Sequence, residues 1–188
     1  MAIVDNFISQ LVRIANDNNF RYYNASLGET NGLGNVAVPY TLDCATYCAY
    51  AIYCAYGWPW ANQTHGYFWP YVTQTGFDDF LVNTIGLTRT AFVDESQLQA
   101  GDIIMCDETL HHNLQYLGNG TIIDANNYFG YGDNSIAARS YPTYDPSTFV
   151  YVYSWGSVPQ PPLSANFISF QTPFGKRKIK RNFNLFYR

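Results

Sequence analysis

The sequence predicts an α+β fold in which N-terminal helices pack on an antiparallel sheet of five to six strands. Three observations lead to this prediction. Apolar residues recur at helical spacing in the first part of the chain. Short strand-like runs bounded by turn residues dominate residues 102–154, and Gly118-Asn-Gly120 separates two of these runs as a hairpin signal.

Three helices are predicted before the strands. The first spans Ile3 to Ala15 and carries an apolar face made of Ile3, Phe7, Ile8, Leu11, Val12 and Ile14. The second runs from about Asp43 to Tyr56 and ends at Gly57-Trp-Pro59, because glycine and proline terminate helices. A shorter third helix covers Phe77 to Ile85. The Asn- and Gly-rich segment 16–36 is predicted to be a loop, interrupted by residues 20–23.

The later part of the chain is predicted to form strands at Asp102–Cys106, His112–Leu117, Thr121–Asn126, Ile136–Ser140 and Thr148–Ser154. Residues 159–164 are rich in proline and are predicted to be a linker. A short strand-like piece and a basic, aromatic tail follow. The predicted organisation is therefore a domain at 1–158, a linker at 159–164 and an extension at 165–188.

Charge is distributed unevenly along the chain. The formal net charge is −4, from ten basic and 14 acidic residues. Six of the ten basic residues lie between Lys176 and Arg188, so residues 1–175 carry four basic against 14 acidic groups, a net charge of −10. Such an acidic body repels a nucleic-acid backbone. We therefore expect no nucleic-acid partner.

The four cysteines and the N-terminus bear on the cellular compartment. Cys44, Cys48, Cys54 and Cys106 do not have zinc-site spacing. The N-terminus lacks the basic start and long apolar run of a signal peptide, and no apolar stretch approaches the roughly 20 residues that span a bilayer. We expect synthesis in a reducing cytoplasm, with free thiols and no membrane span.

Cys44, His112 and Asp124 are the candidate catalytic residues. Cys44 opens the second predicted helix, where backbone N–H groups and the helix dipole favour a thiolate, and Asp43 can cap the same helix. A neighbouring histidine would accept the thiol proton and later give it to the leaving group. An acid would fix the orientation of that histidine. These residue types in this order indicate a thiol hydrolase.

The turn between His112 and Asp124 decides whether they share a face of the sheet. A simple two-residue turn at Asn119-Gly120 would place them on opposite faces. A Gly118-Asn-Gly120 loop with a bulge would return them to the same face. The catalytic interpretation therefore requires a bulge.

More ordinary interpretations compete with this one. Free cysteines are usually buried packing residues, which is our interpretation of Cys48, Cys54 and Cys106. His65 lies in a segment that indicates a loop.

At the candidate residues the chain resembles the NlpC-type family of cell-wall cysteine peptidases, within the papain-like superfamily. Asp43-Cys-Ala-Thr-Tyr47 is similar to the family's Asp-Cys-Ser-Gly-Phe motif at a helix start. Leu98-Gln-Ala-Gly-Asp102 resembles its Leu-x-Pro-Gly-Asp step into a strand. His112-Asn-Leu-Gln-Tyr-Leu-Gly-Asn-Gly120 resembles its His-x-Gly-Ile-Tyr-Ile-Gly-Asn-Gly strand and turn. The family's third polar residue falls twelve positions after its histidine, at Asp124, and the similarity covers residues 1–155.

The chain also departs from the family pattern. Ala45 and Thr46 replace serine and glycine after the cysteine, and Asn113 and Gln115 replace apolar strand residues. His111 is an alternative to His112 as the base. Asn126 and Asn127 are alternatives to Asp124 as the orienting residue.

The resemblance implies a papain-like fold that hydrolyses an amide in the stem peptide of peptidoglycan. Cys44 would attack the carbonyl, His112 would shuttle the proton and Asp124 would orient His112. The N–H of Cys44 would donate to the oxyanion, and no metal or other cofactor is implied. The implied substrate-binding residues are Tyr22, Tyr23, Asp43, Trp58 and Trp60.

The setting that we expect is a phage lysin or a virion-associated wall hydrolase, although a toxin delivered by a secretion apparatus is compatible. It would act at the bacterial wall after release or delivery. The tail 176–188 would bind an anionic wall component or dock into a phage particle, and its apolar residues Phe183, Leu185, Phe186 and Tyr187 favour docking. Two other classes remain: a non-catalytic structural or binding module on the same fold, and a papain-like acyltransferase or deamidase.

Overall fold

The structure is a computed structural model. It describes residues 3–22, 40–56, 74–107, 110, 112–126, 135–156, 167–172 and 175–180. The chain divides into two compact units, Met1–Val158 and Pro159–Arg188. The predicted linker at 159–164 and the end of the tail at 181–188 lie outside the described residues.

The three predicted helices are present in the first unit. Helix α1 spans Ile3–Ala15 and α2 spans Cys44–Tyr56. Helix α3 spans Gln74–Asp79 and continues as a π-helical segment, Phe80–Ile85, that ends at Gly86 in the left-handed conformation (φ 87°). Among the described residues, no helix is both long enough and apolar enough to cross a bilayer.

A six-stranded antiparallel sheet forms the other layer of this unit, with the order β3-β8-β4-β5-β6-β7. Its strands are β3 Thr88–Ala91, β4 Ile103–Cys106, β5 Asn113–Gly118, β6 Thr121–Asn126, β7 Ser135–Ser140 and β8 Phe149–Ser154. Together with the helices it confirms the predicted α+β class. Strands β4 to β8 match the sequence prediction within one residue at each end.

Strand β3 was not predicted from the sequence. It lies at the edge of the sheet beside β8, and all four of its residues are exposed. Because neither face of the strand is buried, its sequence lacks the alternation of apolar and polar residues that marks a strand. Two smaller pairings complete the described strands. β1 (Phe20–Tyr22) pairs in parallel with β2 (Tyr40–Leu42), and in the second unit β9 (Phe167–Thr172) pairs antiparallel with β10 (Gly175–Lys180).

The two faces of the sheet bury different residues. The face toward the helices buries Ile103 and Ile123 against Leu11 of α1 and Ile52 of α2. The opposite face buries a smaller cluster of Ile104, Cys106, Leu114, Tyr116, Ile122, Tyr144 and Phe149. Adjacent strand residues therefore point to opposite faces, as a pleated strand requires. Full burial of one large apolar side chain contributes about 1.5–3 kcal/mol, so these two clusters account for much of the stability.

The hairpin between β5 and β6 contains both a two-residue turn and a bulge. Tyr116 pairs with Ile122, but Gly118 pairs with Thr121, so the register shifts by one residue at Leu117. Gly118, Asn119 and Gly120 all have positive φ (93°, 53° and 66°), which two glycines and an asparagine tolerate. The bulge required by the catalytic interpretation is therefore present. It places His112 and Asp124 on the same side of the sheet.

Candidate active site

Cys44 is the first residue of α2, and Asp43 caps that helix. The Asp43 Oδ1 accepts hydrogen bonds from the Thr46 backbone N–H (2.7 Å) and from the Thr46 hydroxyl (2.7 Å). The Asp43 N–H lies 2.8 Å from the Thr46 Oγ1 and donates to it. This reciprocal pair satisfies N–H groups that a helix start leaves without an intrahelical acceptor. Thr46, which departs from the family pattern, thus helps to fix the backbone beside the cysteine.

The Asp43 carboxyl is only partly accessible to solvent. Burial raises its pKa above the usual value, while hydrogen bonds from Thr46 and the positive charge of His112 oppose that rise. Cys44 is half-buried, so its thiol is accessible. The start of α2 therefore combines a capped helix end with a reachable nucleophile.

His112 lies immediately before β5 and is buried. Its Nε2 lies 2.9 Å from the Asp124 Oδ2, and Cys44 is close enough to affect the charge of the imidazole. Because Asp124 engages Nε2, Nδ1 is the ring nitrogen available to the thiol. Burial alone would lower the pKa of His112, but the negative charges of Cys44 and Asp124 outweigh it and raise the pKa to about 9.

Asp124 lies in the middle of β6 and is completely buried. Its Oδ1 accepts a hydrogen bond from the guanidinium of Arg139, on the neighbouring strand β7. Its Oδ2 accepts one from the hydroxyl of Tyr144, in addition to the contact with His112. The two carboxylate oxygens therefore have separate partners, and Oδ2 is the oxygen that faces the imidazole.

Tyr144 packs over the imidazole and joins it to Asn126. Its hydroxyl lies 3.2 Å from the His112 Nε2, and the two rings are 5.2 Å apart. The Asn126 amide donates to the same hydroxyl. Burial and the charge of Asp124 raise the pKa of Tyr144 well above its usual value, so the hydroxyl stays protonated and donates to Asp124.

Asn113, directly after His112, ties β5 to the start of α2. Placed with its nitrogen toward the Cys44 carbonyl oxygen (3.2 Å) and its oxygen toward the Ala45 N–H (3.3 Å), the Asn113 amide satisfies both backbone groups. In the opposite orientation its oxygen accepts from the Gln115 amide. The amide groups of Asn113 and Gln115 lie 2.8 Å apart, and both side chains are buried. These two departures from the family pattern thus form a polar contact that supports the backbone of the nucleophile.

The arrangement contains the parts needed for attack by a thiolate. The imidazole of His112 interacts electrostatically with Cys44 and is held by the Asp124 carboxylate. The N–H of Cys44 lies in the first turn of α2, where it has no intrahelical acceptor and can donate to a developing oxyanion. The site can therefore generate the nucleophile, carry its proton and stabilise negative charge on a carbonyl oxygen.

Comparison with solved structures identifies the fold. RipD of Mycobacterium tuberculosis is described as a non-catalytic NlpC/P60 domain protein adapted to a peptidoglycan-binding function. It superposes with a TM-score of 0.50 at 13% sequence identity, over 81% of this chain and 97% of RipD. The chain has an NlpC/P60-type fold.

Other proteins with this fold also superpose. The P60 domain of an antigen from M. avium subspecies paratuberculosis gives a TM-score of 0.46 at 14% identity, over 79% of this chain and 92% of that domain. The peptidoglycan hydrolase RipB of M. tuberculosis gives 0.45 at 16% identity, over 78% of this chain and 64% of RipB. No protein-family model and no curated protein sequence matches the chain.

Within the NlpC/P60-type fold, the structure brings together Cys44, His112, Asp124 and Asp43. Tyr22 ends β1, but its side chain lies outside the described part of the chain. The other predicted residues that lie outside the described ranges are Tyr23, Trp58, Trp60, His65, His111 and Asn127. Substrate binding by Tyr22, Tyr23, Asp43, Trp58 and Trp60 stays a prediction.

Arg139 and Tyr144 were not predicted from the sequence to belong to the site. An arginine on an edge strand ordinarily faces solvent, and Tyr144 lies in a loop, so neither residue carries a local signal of its role. One signal was available for Arg139, because it is among only four basic residues before position 176. A lone cation after two alanines, in an acidic body, is a candidate partner for a buried acid.

The remaining cysteines differ from one another. Cys48 and Cys106 are buried as predicted, whereas Cys54 is only partly buried and its sulfur lies 3.5 Å from an Arg13 nitrogen. Cys54 faces away from the core because α2 turns that side toward α1 and solvent. All four cysteines are free thiols. Within the described ranges, no group of three or more His, Cys, Asp or Glu residues is arranged to hold a metal ion.

Proposed function

We propose that the protein is a peptidoglycan hydrolase, a cysteine endopeptidase that cuts an amide bond in the stem peptide. The observation that carries the proposal is one imidazole that hydrogen-bonds to a buried carboxylate and interacts electrostatically with a half-buried cysteine at a helix start. A cysteine used only for packing needs neither partner. The NlpC/P60-type fold supports the wall as the substrate, since RipB is described as a peptidoglycan hydrolase.

The proposed reaction follows from the geometry. The Cys44 thiolate attacks the amide carbonyl, and the Cys44 N–H donates to the resulting oxyanion. His112, as the imidazolium, gives its proton to the leaving amine, and the acyl group remains on the sulfur. Neutral His112 then removes a proton from water, which attacks the thioester and restores the thiol enzyme. Asp124 keeps the ring oriented throughout.

We further propose that the enzyme is a phage lysin or a virion-associated wall hydrolase that reaches the wall on lysis or delivery. The basic residues of the tail begin on β10, at Lys176, Arg177, Lys178 and Lys180. A cationic strand of this kind suits an anionic wall component or a phage particle as its partner.

A second candidate is a peptidoglycan-binding module without activity. The observation that favours it is the similarity to RipD, which is described as non-catalytic. The two candidates differ in what Cys44 does. A binding module would bind the wall equally well with or without the thiol, whereas a hydrolase requires it.

The test is release of new amino groups from purified peptidoglycans of several wall chemistries. We expect release by the wild type and by Cys54→Ala, a matched control at the other partly buried cysteine, and none by Cys44→Ala. Mass spectrometry of the fragments would identify the bond. Binding without release by any variant would support the module. Absence of both, with acyl transfer to or from glutamine or thioester compounds, would support an acyltransferase or deamidase.

A further inference from the structure

The Asp124 carboxylate is completely buried, and its charge is balanced by an arginine partner. Its relative exposure is 0%, and the side chain of Arg139 is only 9% exposed. An isolated carboxylate at such a site would be costly to keep ionised and would tend to take up a proton. Arg139 supplies the compensating charge and binds Oδ1, the oxygen that does not face His112.

Arg139 is itself held in place by the strand on which it lies. One guanidinium nitrogen donates both to the Asp124 Oδ1 and to the backbone carbonyl of Ala137, at 2.8 Å. Ala137 is the residue that pairs with Asp124 across β6 and β7. The register of the two strands therefore fixes the arginine against the carboxylate.

Tyr144 completes the environment of Asp124 from the other side. Its hydroxyl donates to Oδ2 and receives a hydrogen bond from Asn126. The chain of donors runs from Asn126 through Tyr144 to Asp124, and the imidazole of His112 donates to the same carboxylate. Each of the four side chains is thereby fixed by at least one other.

We propose that Arg139 is a positioning residue for this site: by holding Asp124 ionised and oriented, it sets the pH above which Cys44 becomes reactive. Tyr144 assists as a neutral donor. The inference rests on the proposed function only in taking Cys44 as the nucleophile. It concerns the reactivity of the thiol and does not depend on which substrate is cut.

The charges around the site determine in which direction the onset of Cys44 reactivity shifts with pH. Among the described residues, the titratable groups around Cys44, His112 and Asp124 include Asp43, Tyr47, Cys48, Cys106 with its neighbour Asp107, Arg139 and Tyr144. Burial raises the pKa of the two cysteines and the two tyrosines, which keeps them neutral near pH 7. Among these groups, Arg139 is therefore the compensating positive charge.

Removal of Arg139 makes the buried site one unit more negative. A more negative site holds its protons more tightly, so a thiolate forms only at higher pH. If Asp124 instead takes up a proton, it no longer stabilises the positive charge of His112. A neutral His112 in turn no longer stabilises the Cys44 thiolate. Both routes move the onset of Cys44 reactivity in the same direction, toward higher pH.

The experiment measures the rate of Cys44 alkylation by iodoacetamide from pH 5 to 10, followed by mass spectrometry of the peptide that contains Cys44. The variants are Arg139→Lys, Arg139→Gln, Arg139→Met and Tyr144→Phe. We expect the two neutral replacements to raise the midpoint of the rate profile by about one pH unit, which is about tenfold slower alkylation below the midpoint. Arg139→Lys keeps the wild-type midpoint, and Tyr144→Phe shifts it less than the neutral replacements do.

Each outcome bears on the inference. A neutral variant that folds, as judged by near-ultraviolet circular dichroism, and keeps the wild-type midpoint overturns it. A lysine variant that shifts as far as the neutral ones also overturns it, as does failure of all three Arg139 variants to fold. If the lysine variant is the only one of the three that folds, the result supports the inference, because Asp124 then requires a positive charge beside it. Since alkylation needs no wall substrate, these results are independent of whether the protein cuts peptidoglycan.

Discussion

The imidazole of His112 and the carboxylate of Asp124 meet through one hydrogen bond, 2.9 Å long, across a hairpin whose strands are out of register by one residue. The bulge at Leu117 makes this contact possible, since an unbulged hairpin would turn the two side chains to opposite faces. The geometry of the site therefore depends on the local structure of the turn between β5 and β6.

Asp124, rather than Asn126, is the predicted orienting residue. We expect Asp124→Ala to lower kcat/KM on wall fragments by about 10²–10⁴-fold, because the imidazole loses the acceptor that holds its Nε2–H. Asn126→Ala is the matched control from the same strand. It removes a donor to Tyr144 and leaves the Asp124 carboxylate in place, so we expect less than about a tenfold loss. A larger loss from the Asn126 variant than from the Asp124 variant would reverse the assignment.

The buried amide pair of Asn113 and Gln115 predicts a non-additive effect on stability. Asn113→Leu leaves the Gln115 amide buried without its 2.8 Å partner, which should lower the free energy of unfolding by about 1–3 kcal/mol. The double variant Asn113→Leu, Gln115→Leu removes both amides and should recover the part of that loss that comes from the Gln115 amide. Urea denaturation of the wild type, the two single variants and the double variant completes the cycle. Additive losses from the two substitutions would show that the amides do not interact.

Replacement of Gly101, the glycine of the Leu98–Asp102 motif, is predicted to lower the stability more than replacement of an ordinary turn glycine. Its φ is +94°, and a Cβ added there would lie 2.4 Å from a Val4 side-chain atom. Gly86 is the matched control, because it has a similar φ of +87° but open space around the added atom. We expect Gly86→Ala to cost about 1–2 kcal/mol for the left-handed backbone alone. Gly101→Ala should cost roughly 1–3 kcal/mol more, and equal losses in thermal or urea unfolding would contradict this account.

Much of the fold and part of the site could be predicted from the sequence. Helix α1 carries a strong periodic pattern, α2 and strands β4 to β8 are short runs bounded by turn residues, and Asp43-Cys44 marks a helix start by its capping chemistry. The glycines at 118 and 120 marked the turn that permits the bulge. These signals are local, so a short window of sequence contains them.

The features that were missed depend on contacts between distant residues. Arg139 acts on Asp124 only because β7 pairs with β6 in one particular register. Tyr144 reaches the site from a loop 20 residues after Asp124. Asn113 and Gln115 break the apolar pattern of a buried strand, yet they are buried because they contact each other and the start of α2. No local pattern encodes such pairings.

The central claim of this account is that His112 is charged and held between Cys44 and Asp124. The most direct measurement is an NMR pH titration of the histidine side chains. The chain has three histidines, and a His112→Gln spectrum assigns the relevant signal. We predict that His112 titrates near pH 9, well above the usual 6.5, and that Cys44→Ala lowers the midpoint by removing the largest stabilising charge. A wild-type midpoint at or below 6.5, unchanged in Cys44→Ala, would contradict the claim.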